Sequence, residues 1–183
     1  MTGVGDKLIT NNNSLYVNNL FIQCEEGTLF NATDIDYTIN PSVDEFQGRS
    51  KLFRVNNSIL AGGTAGAGST LGSIEGFGTV NMNANIIKNW DVGLKVSNCL
   101  SFEFIGNKSV LWNQQSANMF TTRANNWSGQ PDTVAGYSPL GINAMVVTGN
   151  ILHPRNNEFI WLAEFEGTTK AGTVSSNTFI LTG

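Results

Sequence analysis

Five segments of the chain share one order of apolar and polar positions. In each, a valine is followed by two to four small or polar residues that include Asn, and an apolar segment follows directly. The five segments are residues 17–22, 55–60, 96–102, 147–152 and 174–180. A strand that is interrupted by an Asn corner and resumes at once is typical of a solenoid, and internal recurrence is stronger evidence for a fold than local propensity. The pattern predicts a β-solenoid.

Short apolar segments between Asn and Gly residues predict the individual strands. Segments of three to six residues, separated by corners, are too short for the usual hairpins of a sandwich and suit a solenoid that turns every five to ten residues or so. The predicted fold class is therefore all-β, a parallel β-helix with loop insertions, with a β-sandwich or jelly roll as the alternative. The predicted strand segments are 15–17, 20–22, 52–60, 76–80, 84–87, 93–96, 100–105, 109–112, 144–152, 158–165 and 173–181.

The same pattern predicts how the chain is divided. Residues 1–14 are polar and Asn-rich, and we interpret them as an N-terminal arm or loop. Residues 15–183 are predicted to form one solenoid domain with insertions near 61–73, which is rich in Gly and Ala, and near 113–143, where the strand pattern is lost. A separation of 27 residues between Asn150 and Asn177 is a plausible length for one turn of the solenoid.

Composition agrees with a β fold and limits the partners. The chain has 24 Asn residues but only 13% charged residues, and Asn favours tight turns. A net charge of −4 without a basic cluster argues against nucleic acid as a partner. No apolar segment approaches the roughly 18 residues of a membrane span. The first residues lack the basic and apolar pattern of a signal peptide, and we therefore expect a protein that is made in a cytoplasm. Cys24 and Cys99 lie in apolar contexts and are predicted to be buried free thiols.

Catalytic and metal sites have little support in the sequence. A glycan-cleaving site needs two carboxylates roughly 5–10 Å apart. Glu103 is predicted to point outward between the inward-facing Phe102 and Phe104. His153 precedes Pro154 and is predicted to lie in a turn, with no triad motif and no His/Cys cluster for a metal. We therefore predict no catalytic residue, metal ligand or cofactor, although the carboxylates that such a site would use are Asp91, Glu103, Glu158, Glu164 and Glu166.

Aromatic residues give the better indication of a ligand site. Trp90 and Asp91 lie at a predicted corner and Trp127 lies in a polar segment, so all three are predicted as ligand-binding residues that stack on sugars or anchor an interface. The alternative is that each tryptophan packs beneath its own loop. A second expectation is purely structural, since amides that stack in successive corners stabilise repetitive β-structure. The predicted ladder consists of Asn19, Asn57, Asn98, Asn150 and Asn177.

Residues 76–107 and 145–183 resemble right-handed parallel β-helices. The motifs that carry the resemblance are Asn85-Ile86-Ile87-Lys88-Asn89, Gly93-Leu94-Lys95-Val96-Ser97-Asn98, Phe102-Glu103-Phe104-Ile105-Gly106-Asn107 and Ser176-Asn177-Thr178-Phe179. More narrowly they are similar to the β-helical virion proteins of tailed bacteriophages, namely tailspikes, tail fibres and capsid-decorating or tail appendages.

The resemblance implies a virion structural protein that is assembled in the host cytoplasm as a homotrimer. Its expected partners are other virion proteins, with host surface glycans as a candidate ligand in host attachment. Pectate-lyase-type enzymes and surface adhesins share the pattern. A polysaccharide-degrading β-helix enzyme and a carbohydrate-binding adhesin module are therefore the alternatives.

Overall fold

A computed structural model describes residues 8–11, 14–33, 52–64, 68–75, 77–97, 99, 101–112, 118–123, 142, 144–154, 161–165 and 171–180. The regular elements in these ranges are β-strands, which form three six-stranded sheets. Sheet 1 contains β1 (Leu8–Asn11), β4 (Gly27–Thr33), β7 (Ser69–Glu75), β10 (Val92–Ser97), β13 (Asn118–Arg123) and β16 (Trp161–Phe165). Sheet 2 contains β2 (Leu15–Asn18), β5 (Leu52–Asn56), β8 (Thr79–Asn83), β11 (Ser101–Ile105), β14 (Ala144–Thr148) and β17 (Ala171–Ser175). Sheet 3 contains β3 (Phe21–Gln23), β6 (Ile59–Ala61), β9 (Ile86–Lys88), β12 (Lys108–Trp112), β15 (Ile151–Pro154) and β18 (Thr178–Phe179).

Strand pairing follows one rule throughout these sheets. Each strand pairs in parallel with the strand three positions earlier and the strand three positions later in the chain, and the first and last strands of each sheet have one such neighbour. We call each set of three successive strands a repeat, so that repeat 1 is β2–β4, repeat 5 is β14–β16 and repeat 6 is β17 with β18. The predicted all-β class is confirmed. Parallel strands in three stacked sheets are compatible with a β-helix, whereas a sandwich built from hairpins needs antiparallel neighbours.

One apolar cluster joins the inner faces of the three sheets. Side chains alternate along each strand, so Phe102 and Phe104 are fully buried while Glu103 between them is partly exposed, as the sequence predicted. Phe30 of sheet 1 meets Phe53 of sheet 2 edge to face, with ring centroids 5.2 Å apart. Each repeat therefore adds a layer to a common core, and none of the layers that we describe could bury its apolar face alone.

Gly72 marks the tightest approach inside sheet 1. It pairs in register with Phe30, has a φ of +120°, and a Cβ there would lie 2.0 Å from the carbonyl oxygen of Phe30. Only glycine fits this backbone and this space, because the contact would be with rigid main chain.

The structure has strands within three segments that the sequence assigned to an arm or to insertions. Residues 8–11 of the predicted arm form β1, which pairs with β4. The predicted insertion near 61–73 ends earlier, since β7 begins at Ser69, and the predicted insertion at 113–143 contains β13, which pairs with strands on both sides. His153 lies within β15, opposite Val110, and not in a turn. Pairing with an existing sheet edge stabilises these segments, although their own patterns are weak.

Candidate functional site

The corners between sheets 2 and 3 are built alike in all six repeats. The first corner residue always has the left-handed backbone conformation, with φ between 50° and 68°. Asn and Gly tolerate this conformation, whereas Ala and Ser pay a steric cost for it. The six residues are Asn19, Asn57, Ala84, Gly106, Gly149 and Ser176.

The second corner residue forms a continuous hydrogen-bonded ladder. Asn107 is representative: its backbone N–H donates to Oδ1 of Asn150 at 2.9 Å, and its Nδ2 donates to the same oxygen at 3.1 Å and to the carbonyl of Met82 at 2.7 Å. Asn85 and Asn150 repeat this set of bonds with their own neighbours. The ladder positions from repeat 1 to repeat 6 are Leu20, Ser58, Asn85, Asn107, Asn150 and Asn177, separated by 38, 27, 22, 43 and 27 residues.

The sequence located this ladder only in part. The pairing of Asn150 with Asn177 is confirmed. Asn19 and Asn57 precede the ladder position by one residue, where they supply the left-handed backbone, and Asn98 lies outside the described residues. The sequence interpretation missed Asn85 and Asn107. Each of them follows a small residue and directly precedes a strand, and this pattern could have identified both as ladder positions. The ladder amides are bonded within the scaffold, so the fold uses them for its own stability.

Trp90 and Asp91, predicted as ligand-binding residues, are both fully buried. The indole Nε1 of Trp90 donates to the carbonyl of Leu60 at 3.1 Å. The carboxylate Oδ2 of Asp91 accepts from the backbone N–H groups of Gly68 and Ser69 at 2.7 and 3.1 Å. The expectation that Trp90 is poorly placed for a core is wrong, and neither side chain presents a surface on which a ligand could stack.

Trp127 lies outside the described residues. The prediction of buried free thiols at Cys24 and Cys99 is confirmed.

The outer face of sheet 3 carries an apolar stripe that the sequence reading missed. The residues Phe21, Ile59, Ile86, Lys108 and Ile151 are paired in register from strand to strand, which places one of them on each of the first five repeats in a single row. Phe21, Ile86 and Ile151 are 45%, 39% and 37% exposed. We call these five residues the sheet 3 stripe. Its sequence signal was the apolar residue that directly follows the ladder position in four of the first five repeats.

The outer face of sheet 2 is polar. Its central row runs through Tyr16, Arg54, Asn81 and Glu103, which are paired in register, and Tyr16 is 64% exposed. Oε2 of Glu103 accepts hydrogen bonds from Nδ2 of Asn81 at 2.6 Å and of Asn83 at 3.3 Å. Nε of Arg54 is buried and has no hydrogen-bond partner among the residues that the structure describes. The row therefore presents an exposed aromatic ring, a partly exposed cation and a partly exposed carboxylate, whereas Asn81 is 6% exposed.

Sheet 1 is also polar on its outer face, where Asn31, Ser73 and Lys95 stand in register. Asn31 is exposed and the other two are partly exposed. Of the three outer faces, as far as the structure describes them, sheet 3 alone presents a row of large apolar side chains. Scattered apolar residues on a surface are ordinary, but an apolar row that only Lys108 interrupts over five repeats indicates an interaction surface.

The carboxylates considered for catalysis do not form a described site. Asp91 is held by backbone amides and Glu103 by two asparagines, and Glu158 and Glu166 lie outside the described residues. Glu164 lies in β16 at the edge of sheet 1. Among the described side chains, no group of three or more His, Cys, Asp or Glu residues could hold a metal ion. The described ranges contain no helix with the length and apolar character needed to cross a membrane.

Comparison of the chain with protein-family models, with curated proteins and with solved structures finds no significant match.

Proposed function

We propose that this chain is a structural protein of a bacteriophage virion, a small right-handed parallel β-helical appendage on the capsid or tail that assembles as a homotrimer. The observation that carries the proposal is the sheet 3 stripe. It follows the direction in which the repeats stack, so a three-fold axis parallel to that direction would bring the stripes of three copies together along their whole length. The resemblance to β-helical virion proteins, which are commonly trimers, supports the same assembly.

Burial of the stripe supplies the driving force for this assembly. Phe21, Ile86 and Ile151 together expose a large apolar surface, and removal of apolar surface from water contributes about 25 cal/mol per Å². The outer faces of sheets 1 and 2 are polar and would remain in water, which suits an appendage that presents them outward. Closed symmetry also limits further association, because the three stripes face one another around the axis and no copy of the stripe is left for a fourth subunit.

The polar face of sheet 2 supports a second role as a glycan-binding surface. Flat sugar rings stack on exposed aromatic rings, and Tyr16 offers one beside Arg54, in the same row as the partly exposed Glu103. This surface takes the place of the predicted site at Trp90 and Asp91. Because of this surface, a carbohydrate-binding adhesin module is the second candidate function.

A polysaccharide-degrading enzyme has less support. Its chemistry needs a second carboxylate near the first. Glu103 is the one carboxylate on the described outer face of sheet 2, and its Oε2 is already bonded to two neutral amides. A scaffold that presents a binding face requires no such pair.

The native mass in solution tests the proposed assembly. Light scattering on the purified chain should give three times 19.7 kDa, and the trimer should persist in mild SDS without heating. The Ile86→Glu substitution places a charge in the stripe and should give a folded monomer. Ser73→Glu adds the same charge on the outer face of sheet 1 and should leave the trimer intact. A monomeric wild-type chain, or equal masses for the two variants, would contradict assembly through sheet 3.

A further inference from the structure

The inner apolar side chains of the last described repeat are exposed to solvent, whereas the corresponding side chains of the preceding repeat are buried. Val174 and Phe179 are 49% and 47% exposed. The residues paired with them in repeat 5, Val147 and Leu152, are 0% and 3% exposed. These positions belong to the inner face of the stack, so the apolar core itself reaches the surface at this end.

The backbone and the ladder are open at the same end. β17 and β18 are the last strands of sheets 2 and 3, so one edge of each is unpaired within the described structure. Oδ1 of Asn177 accepts from Asn150, and Nδ2 of Asn177 donates to the carbonyl of Val147. The backbone N–H of Asn150 donates to Asn177, but the corresponding N–H of Asn177 has no acceptor among the described residues. One more acceptor at the corner would continue the ladder.

The opposite end of the stack does not complement this surface. In repeat 1 the inner residues Val17 and Ile22 are only 7% and 0% exposed, so that end is already covered. Its ladder position is Leu20, whose side chain has no oxygen to accept a bond from Asn177. A head-to-tail stack of copies would leave the ladder broken, and the occupant of the open end is therefore not the first repeat of a second copy.

We infer that the end formed by β17 and β18 is a docking site for a partner polypeptide that adds parallel strands to sheets 2 and 3. The partner carries an Asn at its corner, whose Oδ1 accepts the backbone N–H of Asn177, and apolar side chains that cover Val174 and Phe179. Strand addition at a sheet edge provides affinity through main-chain bonds, and the corner amide and the apolar positions provide specificity. This inference is independent of the proposed trimer, which uses the outer face of sheet 3 and not the end of the stack.

A labelled peptide tests the docking site on the full chain. The probe has the sequence of residues 171–180, which contains strand, corner Asn and strand, and a second probe carries Asn177→Leu. Fluorescence anisotropy should detect saturable binding of the first probe, and the second should bind at least tenfold more weakly. Because Val174 and Phe179 are exposed, Val174→Glu and Phe179→Glu should leave the far-ultraviolet circular dichroism of the chain unchanged but abolish binding.

Ser73→Glu is the control, since it adds the same charge on the outer face of sheet 1, away from β17 and β18 and from the sheet 3 stripe. It should bind the first probe as the wild type does. Absence of saturable binding, equal affinity for the two probes, or equal loss in Ser73→Glu would overturn the inference.

Discussion

Oδ1 of Asn107 accepts two hydrogen bonds from Asn85, one from its backbone N–H at 2.9 Å and one from its Nδ2 at 3.1 Å. The two residues are 22 positions apart and nearly fully buried. A single side-chain oxygen thus satisfies the main chain and the side chain of the preceding repeat. Because the same arrangement recurs from repeat to repeat, the ladder fixes the register of successive corners as well as satisfying their buried polar groups.

Removal of one ladder amide should destabilise the fold strongly. In Asn107→Ala, the backbone N–H of Asn85 and the carbonyl of Met82 lose their partners in a buried environment. Each unsatisfied buried group costs about 1–3 kcal/mol, so the loss of both partners should lower the free energy of unfolding by about 2–6 kcal/mol. Urea denaturation measures this change. Asn31→Ala, at an exposed position of sheet 1, is the control and should stay within about 0.5 kcal/mol of the wild type.

Two reciprocal substitutions test the strain at the first corner residue. Ala84 and Gly106 occupy equivalent positions with φ of 56° and 64°, and a Cβ at Gly106 would meet no atom within 4 Å. Backbone conformation alone should therefore decide the outcome. Ala84→Gly should raise stability by about 0.5–1 kcal/mol, and Gly106→Ala should lower it by about 1 kcal/mol. Thermal unfolding should show shifts of opposite sign, and shifts of the same sign would contradict the proposed strain.

A buried aromatic residue and its outward neighbour should respond very differently to truncation. Phe102→Ala removes a fully buried ring and should cost about 3–5 kcal/mol. Glu103→Ala leaves the core unchanged and removes the acceptor of two amides, that of the partly exposed Asn83 and that of Asn81, which is 6% exposed, so its cost should be about 1–2 kcal/mol. Chemical denaturation of both variants checks the alternation of the strand. Similar losses for the two would place both side chains in comparable environments.

Lys108 distinguishes a parallel trimer from other assemblies of the same stripe. A three-fold axis along the stack brings the three Lys108 ammonium groups to one height, where they repel each other. Lys108→Met should therefore strengthen the trimer by about tenfold in dissociation constant, which corresponds to about 1.4 kcal/mol. Added salt should strengthen the wild-type trimer, because the screening length falls from about 10 Å at 0.1 M to about 3 Å at 1 M. Sedimentation measures both effects.

Lys95→Met is the control for Lys108→Met, since Lys95 lies on the outer face of sheet 1. It should leave the dissociation constant unchanged. A weaker trimer in Lys108→Met would mean that a carboxylate, and not a second lysine, faces Lys108 across the interface. That result would contradict the parallel three-fold arrangement.

The sequence predicted the strands beside the corners because apolar alternation and Asn are both local signals. Residues 52–60, for example, were predicted as two strands about Asn57 and form β5 and β6. The position of the ladder within each corner was harder to predict. Asn56 and Asn57 are adjacent, and the sequence pattern does not reveal which side chain at this corner points inward. In this repeat the ladder position is in fact Ser58, whose hydroxyl oxygen accepts from the backbone N–H of Leu20.

Contacts between residues far apart in the sequence determine the features that the local pattern did not predict. Trp90 was predicted at the surface because it adjoins a corner, but its indole N–H reaches the carbonyl of Leu60 in the repeat before. β1 and β13 have weak patterns of their own and are strands because a neighbouring sheet edge pairs with them. The sheet 3 stripe depends on register between repeats, which becomes visible only when the strands are aligned.

Chemical cross-linking of Ile86→Cys tests most directly whether sheet 3 is the face that three copies share. The native thiols of Cys24 and Cys99 are buried, so a short bismaleimide should react at the new position. Assembly through the stripe predicts covalently linked subunits for Ile86→Cys on denaturing gels, and none for Ser73→Cys on the outer face of sheet 1. No linkage at position 86, or equal linkage at position 73, would contradict the account.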